Sequence, residues 1–228
     1  MPEHLLRARN LISRLDLKNT SYEHKFSKVV FEGEAQSHTD CSGFLLALLS
    51  KSYGLSEGDV LSWLNHSRPL ASDFHNAIES LRGFRVVERI SQIEPGDILA
   101  IRYSIRKEGN TGHVLLASVR PFPLLNKGEW GLTVIDSSHT GHGTTDTRYA
   151  KGKNGKDHDG LGEGVFRLFE DSEGKVRGFS WSIREDSIYR LPRDEHLLIG
   201  RITLPLNIHP SSSIPESQLD SGIHAITH

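Results

Sequence analysis

Cys41 is the residue of this chain best suited to nucleophilic chemistry, and it is the only cysteine among 228 residues. Polar residues surround it, with Thr39 and Asp40 before it and Ser42 after it. An apolar stripe at helical spacing then follows, formed by Phe44, Leu45, Leu48 and Leu49. This pattern predicts a helix that begins at Cys41 and packs on a core through its apolar stripe.

A thiol at the start of a helix faces the positive end of the helix dipole and unpaired backbone N–H groups. Both favour the ionised, nucleophilic form of the sulfur. A lone cysteine in an arbitrary chain is more often a small buried hydrophobic residue. The polar neighbours of Cys41 favour the reactive interpretation, because the apolar stripe starts only after them.

A nucleophilic thiol needs a base, and the base needs an orienting group. His113 directly precedes a predicted apolar strand that would hold its imidazole rigidly, and Gly112 before it gives backbone clearance. Asp136 ends the next predicted strand, where its carboxylate could accept the ring N–H of His113. An ordinary turn-forming role stays open for Asp136, and His139 and His142 are alternative third residues.

Four short segments together resemble the NlpC-type cysteine peptidases, a circularly permuted branch of the papain-like fold. They are DCSGF at 40–44, PGDILAI at 95–101, GHVLLAS at 112–118 and VIDSS at 134–138. In that family the first segment opens the nucleophile helix and the third opens the strand that carries the base. The resemblance therefore implies Cys41 as nucleophile, His113 as base and Asp136 as the third residue, where the family often has histidine.

The same resemblance implies a substrate and its contacts. Family members use the Asp and Ser of the DCSG motif near the amino group of the substrate, which implies this role for Asp40 and Ser42. The family also carries an upstream tyrosine near the thiolate, and Tyr22 is the matching residue. Peptide stems of the bacterial cell wall are the usual substrate of the family. A peptide or peptidoglycan fragment is therefore the implied partner.

The composition excludes several other classes of function. A net charge of −2 with scattered basic residues provides no basic stripe for nucleic acid. No run approaches the roughly 20 apolar residues that a membrane span needs. The N-terminal segment predicts an amphipathic helix and not a signal peptide. The compartment stays open: the chain is cytoplasmic as written, and periplasmic or extracellular if a leader was removed. The oligomeric state stays open as well.

The predicted elements are helices followed by strands, which indicates an α+β fold. We expect N-terminal helices packed on a mostly antiparallel sheet of about five to six strands, in the permuted papain-like arrangement that the resemblance implies. Residues 1–205 are expected to form a single domain. The stretch 139–164 predicts a long inserted surface loop, and the aperiodic tail 206–228 is expected to be disordered.

Two patterns inside the predicted loop receive ordinary interpretations. Gly160, Gly162 and Gly164 form an incomplete glycine motif with no strand before it, so a nucleotide-binding loop is not predicted. A group of histidines and aspartates could in principle bind a metal, but these residues lack an ordered metal-ligand spacing. They are His139, His142, Asp157, His158 and Asp159. We therefore predict no cofactor and no metal site.

These features predict a cysteine hydrolase that cleaves amide or peptide bonds through a thioester acyl-enzyme. Two alternatives stay open. An acyltransferase or amidase acting on a lipid or small molecule is expected if the cleft is strongly apolar. A non-catalytic binding module is expected if Cys41 does not react with iodoacetamide at neutral pH.

Overall fold

Helices and a mostly antiparallel sheet form the described part of the chain, which in this computed structural model comprises residues 1–25, 27–107, 110–149 and 158–203. The α+β class is confirmed. The tail 206–228 lies outside the described residues, and so do residues 150–157 of the predicted loop, Asp157 among them.

The α-helices of the described residues all precede the main sheet along the chain. They are α1 (Glu3–Arg14), α2 (Cys41–Tyr53), α3 (Glu57–Leu64) and α4 (Ala71–Glu79). α2 begins at Cys41 as predicted, because Asp40 caps its N-terminus, and it ends at Gly54, whose φ is 66°. Within the described ranges, no helix is both long and apolar enough to cross a bilayer.

Eleven strands occur in the described residues. In chain order they are β1 (Thr20–Ser21), β2 (Lys28–Val30), β3 (Gln36–His38), β4 (Phe84–Val86), β5 (Ile98–Lys107), β6 (Asn110–Ala117), β7 (Phe122–Pro123), β8 (Glu129–Ser138), β9 (Gly160–Glu170), β10 (Val176–Ser180) and β11 (Glu195–Ile202). The first three form a small sheet, and the other eight form the main sheet.

The main sheet has the strand order β10-β9-β8-β6-β5-β11-β4, and β7 pairs with β8. Every pair of neighbours in it is antiparallel. The prediction of five to six strands was too low. β4 has three residues and β7 has two, so neither is long enough to produce a periodic sequence pattern.

Both faces of the central strands are buried. Val114 and Leu116 of β6 belong to the core beneath the helices, whereas Leu115 and Ala117 belong to a second core on the opposite face. This alternation follows the two-residue period of a strand. By the same alternation His113, at the start of the apolar stretch, shares the face of Leu115.

The small sheet brings the segment before α2 against the main sheet. β1 pairs with β3 in parallel, and β2 pairs with β3 antiparallel. The Thr20 hydroxyl accepts a hydrogen bond from the Leu161 N–H at 2.7 Å and donates to the Ser37 carbonyl at 3.0 Å. Because β1 leads into Tyr22 and β3 leads into α2, their pairing places Tyr22 near Cys41.

Candidate active site

The first turn of α2 is fixed by its capping residue. Asp40 Oδ1 accepts hydrogen bonds from the Gly43 N–H at 2.7 Å and from the Ser42 hydroxyl at 3.1 Å. The backbone N–H groups of Cys41 and Ser42 have no acceptor within the helix. Cys41 is 5% exposed and lines a narrow cavity together with Tyr22 and Asp40. The thiol is therefore recessed at a polar cleft.

His113 lies between Cys41 and a carboxylate. Its Nε2 donates a hydrogen bond to Asp136 Oδ2 at 2.6 Å, and both residues are buried. The thiol of Cys41 also interacts with the imidazole and helps to set its pKa, and Nδ1 is the ring nitrogen that Asp136 leaves free. Trp181 packs edge to face against the imidazole, with ring centroids 5.3 Å apart. A side chain at Gly112 would collide with a carbonyl of β5, so glycine permits the close strand pairing beside His113.

The protonation of His113 reflects opposing influences. Burial alone would lower the pKa of His113, because burial disfavours the charged ring. The interaction with Cys41 and the hydrogen bond to Asp136 outweigh burial and raise this pKa above its usual value. The protonated form of His113 is therefore favoured despite its burial.

Asp136 is the buried hub of a charged network. Its Oδ1 accepts hydrogen bonds from His142 Nε2 at 3.1 Å and from Arg148 Nη2 at 2.9 Å. Burial would raise the pKa of Asp136, but the charges of Arg148 and His142 and the hydrogen bond from His113 hold it well below its usual range. Asp136 is therefore an anion that orients His113.

Arg148 balances two buried carboxylates and is itself fully buried. Besides Asp136 it contacts Asp146, through Nε to Oδ1 at 2.9 Å and through Nη2 to Oδ2 at 2.8 Å. This paired geometry compensates the cost of removing the charges from water. Arg148 thus holds Asp136 in place behind the imidazole.

His142 supports Asp136 from another side. Its Nδ1 faces the Trp181 carbonyl at 2.6 Å and its Nε2 faces the Asp136 carboxylate at 3.1 Å. Both oxygens are hydrogen-bond acceptors, so these two contacts fix the orientation of the ring behind Asp136. His139 instead lies against Tyr22, with ring centroids 4.2 Å apart. Of the three candidates for the third position, Asp136 is the one that contacts His113.

The prediction of a surface loop over residues 139–164 was wrong for two of its segments. His142, Asp146 and Arg148 are buried, and β9 begins at Gly160. Composition suggested a loop because these residues are polar. They are buried because they pair with one another and with Asp136, which composition cannot show.

The glycine cluster of β9 makes room for this network. A side chain at Gly162 would collide with Arg148, and one at Gly164 would collide with Asp146 and His142. Both glycines lie on the same face of β9, because they are two residues apart. Their absent side chains let the buried ion pair lie flat against the strand.

The cleft extends to both sides of the Cys41–His113 pair. One side is a cavity of about 320 Å³, and the other is the narrow cavity beside Cys41. Tyr22 and Asn110 line both cavities. The lining of the larger cavity is mainly polar and aromatic, and includes Tyr103, Asp136, His139, Trp181 and Arg190.

Two tyrosines keep their protons beside the thiol. Burial and the negative charges of Cys41 and Asp40 raise the pKa of Tyr22. Burial, Glu195 and Cys41 raise the pKa of Tyr103. Both phenols are therefore neutral hydroxyl groups that can donate hydrogen bonds into the cleft.

Comparison with known proteins shows one clear relationship. No protein-family model matches the chain. An uncharacterised protein of Acanthamoeba polyphaga mimivirus is 32% identical over 224 residues, which covers 89% of this chain and 97% of the viral protein. The chain belongs to the family of this mimivirus protein.

A solved structure gives a much weaker similarity. The wild-type endolysin LysIME-EF1 is 12% identical, with a TM-score of 0.32, and the match covers 84% of this chain but only 65% of the endolysin chain. This similarity is too low to establish a shared fold. Two predictions therefore stay predictions for this chain: that it belongs to the NlpC-type peptidases, and that its fold is the permuted papain-like one.

The residues that the sequence predicts for the site lie together in the structure. His113 hydrogen-bonds with Asp136 and interacts with Cys41. Ser42 shares the first helical turn with Cys41, and Tyr22 lines the cleft. Their catalytic and substrate-binding roles stay predictions.

Sequence reasoning missed three residues of the site, Tyr103, Asp146 and Arg148. Tyr103 was placed in a predicted strand, but its position at the cleft depends on the pairing of β5 with β6 and β11. Asp146 and Arg148 follow no periodic pattern. The alternating glycines of β9 were the available signal, because glycine at alternate positions leaves one face of a strand open.

Proposed function

We propose that this chain is a cysteine hydrolase that cleaves amide or peptide bonds. The observation that carries the proposal is that His113, which is hydrogen-bonded to Asp136, interacts with Cys41 at the start of α2. A buried imidazolium with its own buried counter-ion is costly to the free energy of folding unless its charges are well paired. Its position against the only thiol of the chain favours a chemical role.

In the first half of the proposed reaction, the Cys41 thiolate attacks the carbonyl carbon of the substrate. A C–S bond forms and the carbonyl electron pair moves to oxygen, where the backbone N–H groups of Cys41 and Ser42 would stabilise the negative charge. His113 then transfers its Nδ1 proton to the departing nitrogen as the C–N bond breaks. The amine leaves and a thioester remains on the sulfur.

In the second half, water releases the acyl group. Neutral His113 takes a proton from the water as its oxygen attacks the thioester carbonyl. The C–S bond then breaks, its electron pair returns to the sulfur of Cys41, and the acid is released. Asp136 keeps the imidazole oriented in both halves, with its own support from Arg148 and His142.

The substrate class that we propose is a cell-wall peptide or a related peptide with a free amino group. The resemblance of the DCSG and GHV segments to NlpC-type peptidases supports it. Asp40 lies on the narrow cavity beside Cys41 and is 7% exposed, so its carboxylate could pair with an ammonium group. The mainly polar lining of the larger cavity favours peptides over lipid acyl chains.

Alkylation of the single thiol is the first test. Iodoacetamide adds to one cysteine only, so the mass of the whole protein reports its rate without a substrate. We expect rapid labelling at pH 7 that slows in the His113→Gln variant. A thiol that stays unmodified in the folded wild-type protein would contradict the proposal and favour the binding-module alternative.

Digestion of purified peptidoglycan is the second test. We expect the wild-type protein to release peptide fragments with new amino termini, identified by mass spectrometry, and the Cys41→Ala variant to release none. Identical release by both proteins would exclude the thiol mechanism. A reactive thiol that releases nothing from peptidoglycan would overturn the proposed substrate class.

A further inference from the structure

A second group of histidines lies away from the proposed active site. His75 and Glu79 are one turn apart on α4, so they share one face of the helix. His196 lies on β11 opposite Arg102 of β5, and α4 packs on both strands. A helix and a strand therefore present two imidazoles and a carboxylate to the same point.

The ligand atoms of this group have the spacing of a metal site. His75 Nε2 and His196 Nδ1 are 2.9 Å apart, and one ligand atom from each of the three residues lies within 4.8 Å of the others. At Zn–N bonds of 2.0–2.1 Å, two nitrogens in a tetrahedral site are about 3.4 Å apart. Admitting the ion would move the two nitrogens apart by about half an ångström and draw the Glu79 carboxylate towards them.

The two imidazoles face each other with ring centroids 5.0 Å apart and planes inclined at 57°. Among the described contacts, Nε2 of His75 pairs with Nδ1 of His196 alone, and imidazole nitrogens are common metal ligands. Nδ1 of His75, the other ring nitrogen, is buried without a hydrogen-bond partner.

Arg102 is the charged group that opposes a cation here. Its Nη1 contacts Glu79 Oε2 at 3.1 Å and Asn76 Oδ1 at 3.0 Å. The side chains of Arg102 and Glu79 are 34% and 50% exposed, so the guanidinium can move into water and release the carboxylate. Surface ion pairs of this kind contribute little free energy, whereas a metal–carboxylate bond in a three-ligand site contributes more.

We propose that His75, Glu79 and His196 bind one zinc ion, with water in the fourth position. The ion would join α4 to β11. At the other end of α4, the Ser72 N–H donates to Thr111 Oγ1 at 3.3 Å, two residues before His113. Ala71 lines the narrow cavity beside Cys41. The ion would thus fix the helix that borders one side of the cleft.

Metal titration of the full chain tests this proposal. All measurements use the Cys41→Ala background, so that the thiol cannot bind the metal and the result is independent of the proposed hydrolase. After chelation and dialysis, Zn²⁺ binding is followed by calorimetry, and Co²⁺ is followed by its visible absorption. We expect one ion per chain and a rise in melting temperature, because the ion binds only the folded state.

Four variants test the site. His196→Gln and His75→Gln should each weaken Zn²⁺ binding by more than about tenfold, whereas the exposed His66→Gln should leave it unchanged. Arg102→Gln should strengthen binding, because it frees Glu79 and removes a positive charge. Circular dichroism checks that each variant is folded, and His196 is the safer position because it is only partly buried.

The outcomes separate a metal site from a simple histidine pair. Equal Zn²⁺ affinity in the His196→Gln, His66→Gln and parent proteins would overturn the proposal, since binding would then come from scattered surface histidines. Absence of any binding by the parent protein would overturn it as well. Loss of the Zn²⁺-dependent rise in melting temperature in His196→Gln and His75→Gln, but not in His66→Gln, would support it.

Discussion

The two buried histidine pairings of this protein differ in the sign of their pKa shifts. His113 has a thiol on one side and a carboxylate on the other, and its pKa is raised. His75 faces another imidazole and the charge of Arg102, and its pKa is lowered. Burial lowers the pKa of both rings. The partner therefore decides whether a buried histidine is a charged acid or a neutral ligand.

The two regions also differ in how completely their polar atoms are paired. Asp136 holds His113 and is itself held by His142 and Arg148. In the other region, Nδ1 of His75 is buried without a partner. The polar atoms around Asp136 are therefore more fully paired than those around His75.

Removing Arg148 should have the largest effect on stability. An Arg148→Met variant leaves Asp136 and Asp146 as buried carboxylates without their cation, which costs about 3–5 kcal/mol. Urea unfolding followed by circular dichroism measures this. The control is Arg193→Met, whose ion pair with Asp194 is exposed, and we expect a change within about 0.5 kcal/mol. Equal losses of unfolding free energy in both variants would show that the buried ion pairs stabilise the fold no more than an exposed one.

Replacing each histidine in turn tests which one serves the thiol. His113→Gln should slow alkylation of Cys41 by iodoacetamide at pH 7 by at least about tenfold, because the imidazolium that stabilises the thiolate is lost. His75→Gln should leave the rate within about twofold, since His75 makes no contact with the candidate triad among the described interactions. Similar slowing in both would refute the separation of the two regions.

Filling the space beside β9 should have a smaller effect. A Gly164→Ala side chain would meet Asp146 and His142, so we expect a loss of about 1–3 kcal/mol. Gly58 is the matched control, because its added side chain meets only Ser56 at an ordinary 3.7 Å and alanine favours the helix by about 0.5–1 kcal/mol. Thermal melts of both variants should therefore shift in opposite directions.

The sequence predicted the helix and strand that carry Cys41 and His113 better than it predicted the residues that hold Asp136 in place. The helix beginning at Cys41 follows from a capping residue and an apolar stripe, both of which are local. The strand of His113 follows from an apolar run whose two faces are buried. These signals need no knowledge of distant partners, and four adjoining motifs were enough to locate the candidate residues.

The residues that the sequence did not predict meet through contacts between segments that are far apart in the chain. Arg148 lies in the segment that polar composition predicted as a surface loop, and its pairing with Asp136 and Asp146 is what buries it. His75 and His196 are 121 residues apart and meet through the packing of α4 on β11. Such sites become visible only when the topology is known.

The acid dependence of stability compares the two regions directly. The pKa of His75 falls from 6.5 to about 4 on folding, so the unfolded chain binds its proton more readily. The stabilising contribution is therefore present above about pH 6.5 and is lost as the pH falls through about 4. Asp136, whose folded-state pKa is well below 3.8, loses its contribution only in stronger acid. Urea unfolding between pH 7 and 4 should show a shallower loss of stability in His75→Gln than in the wild-type protein. An unchanged slope would mean that the ring of His75 is protonated in the folded state, and that it differs less from His113 than its contacts indicate.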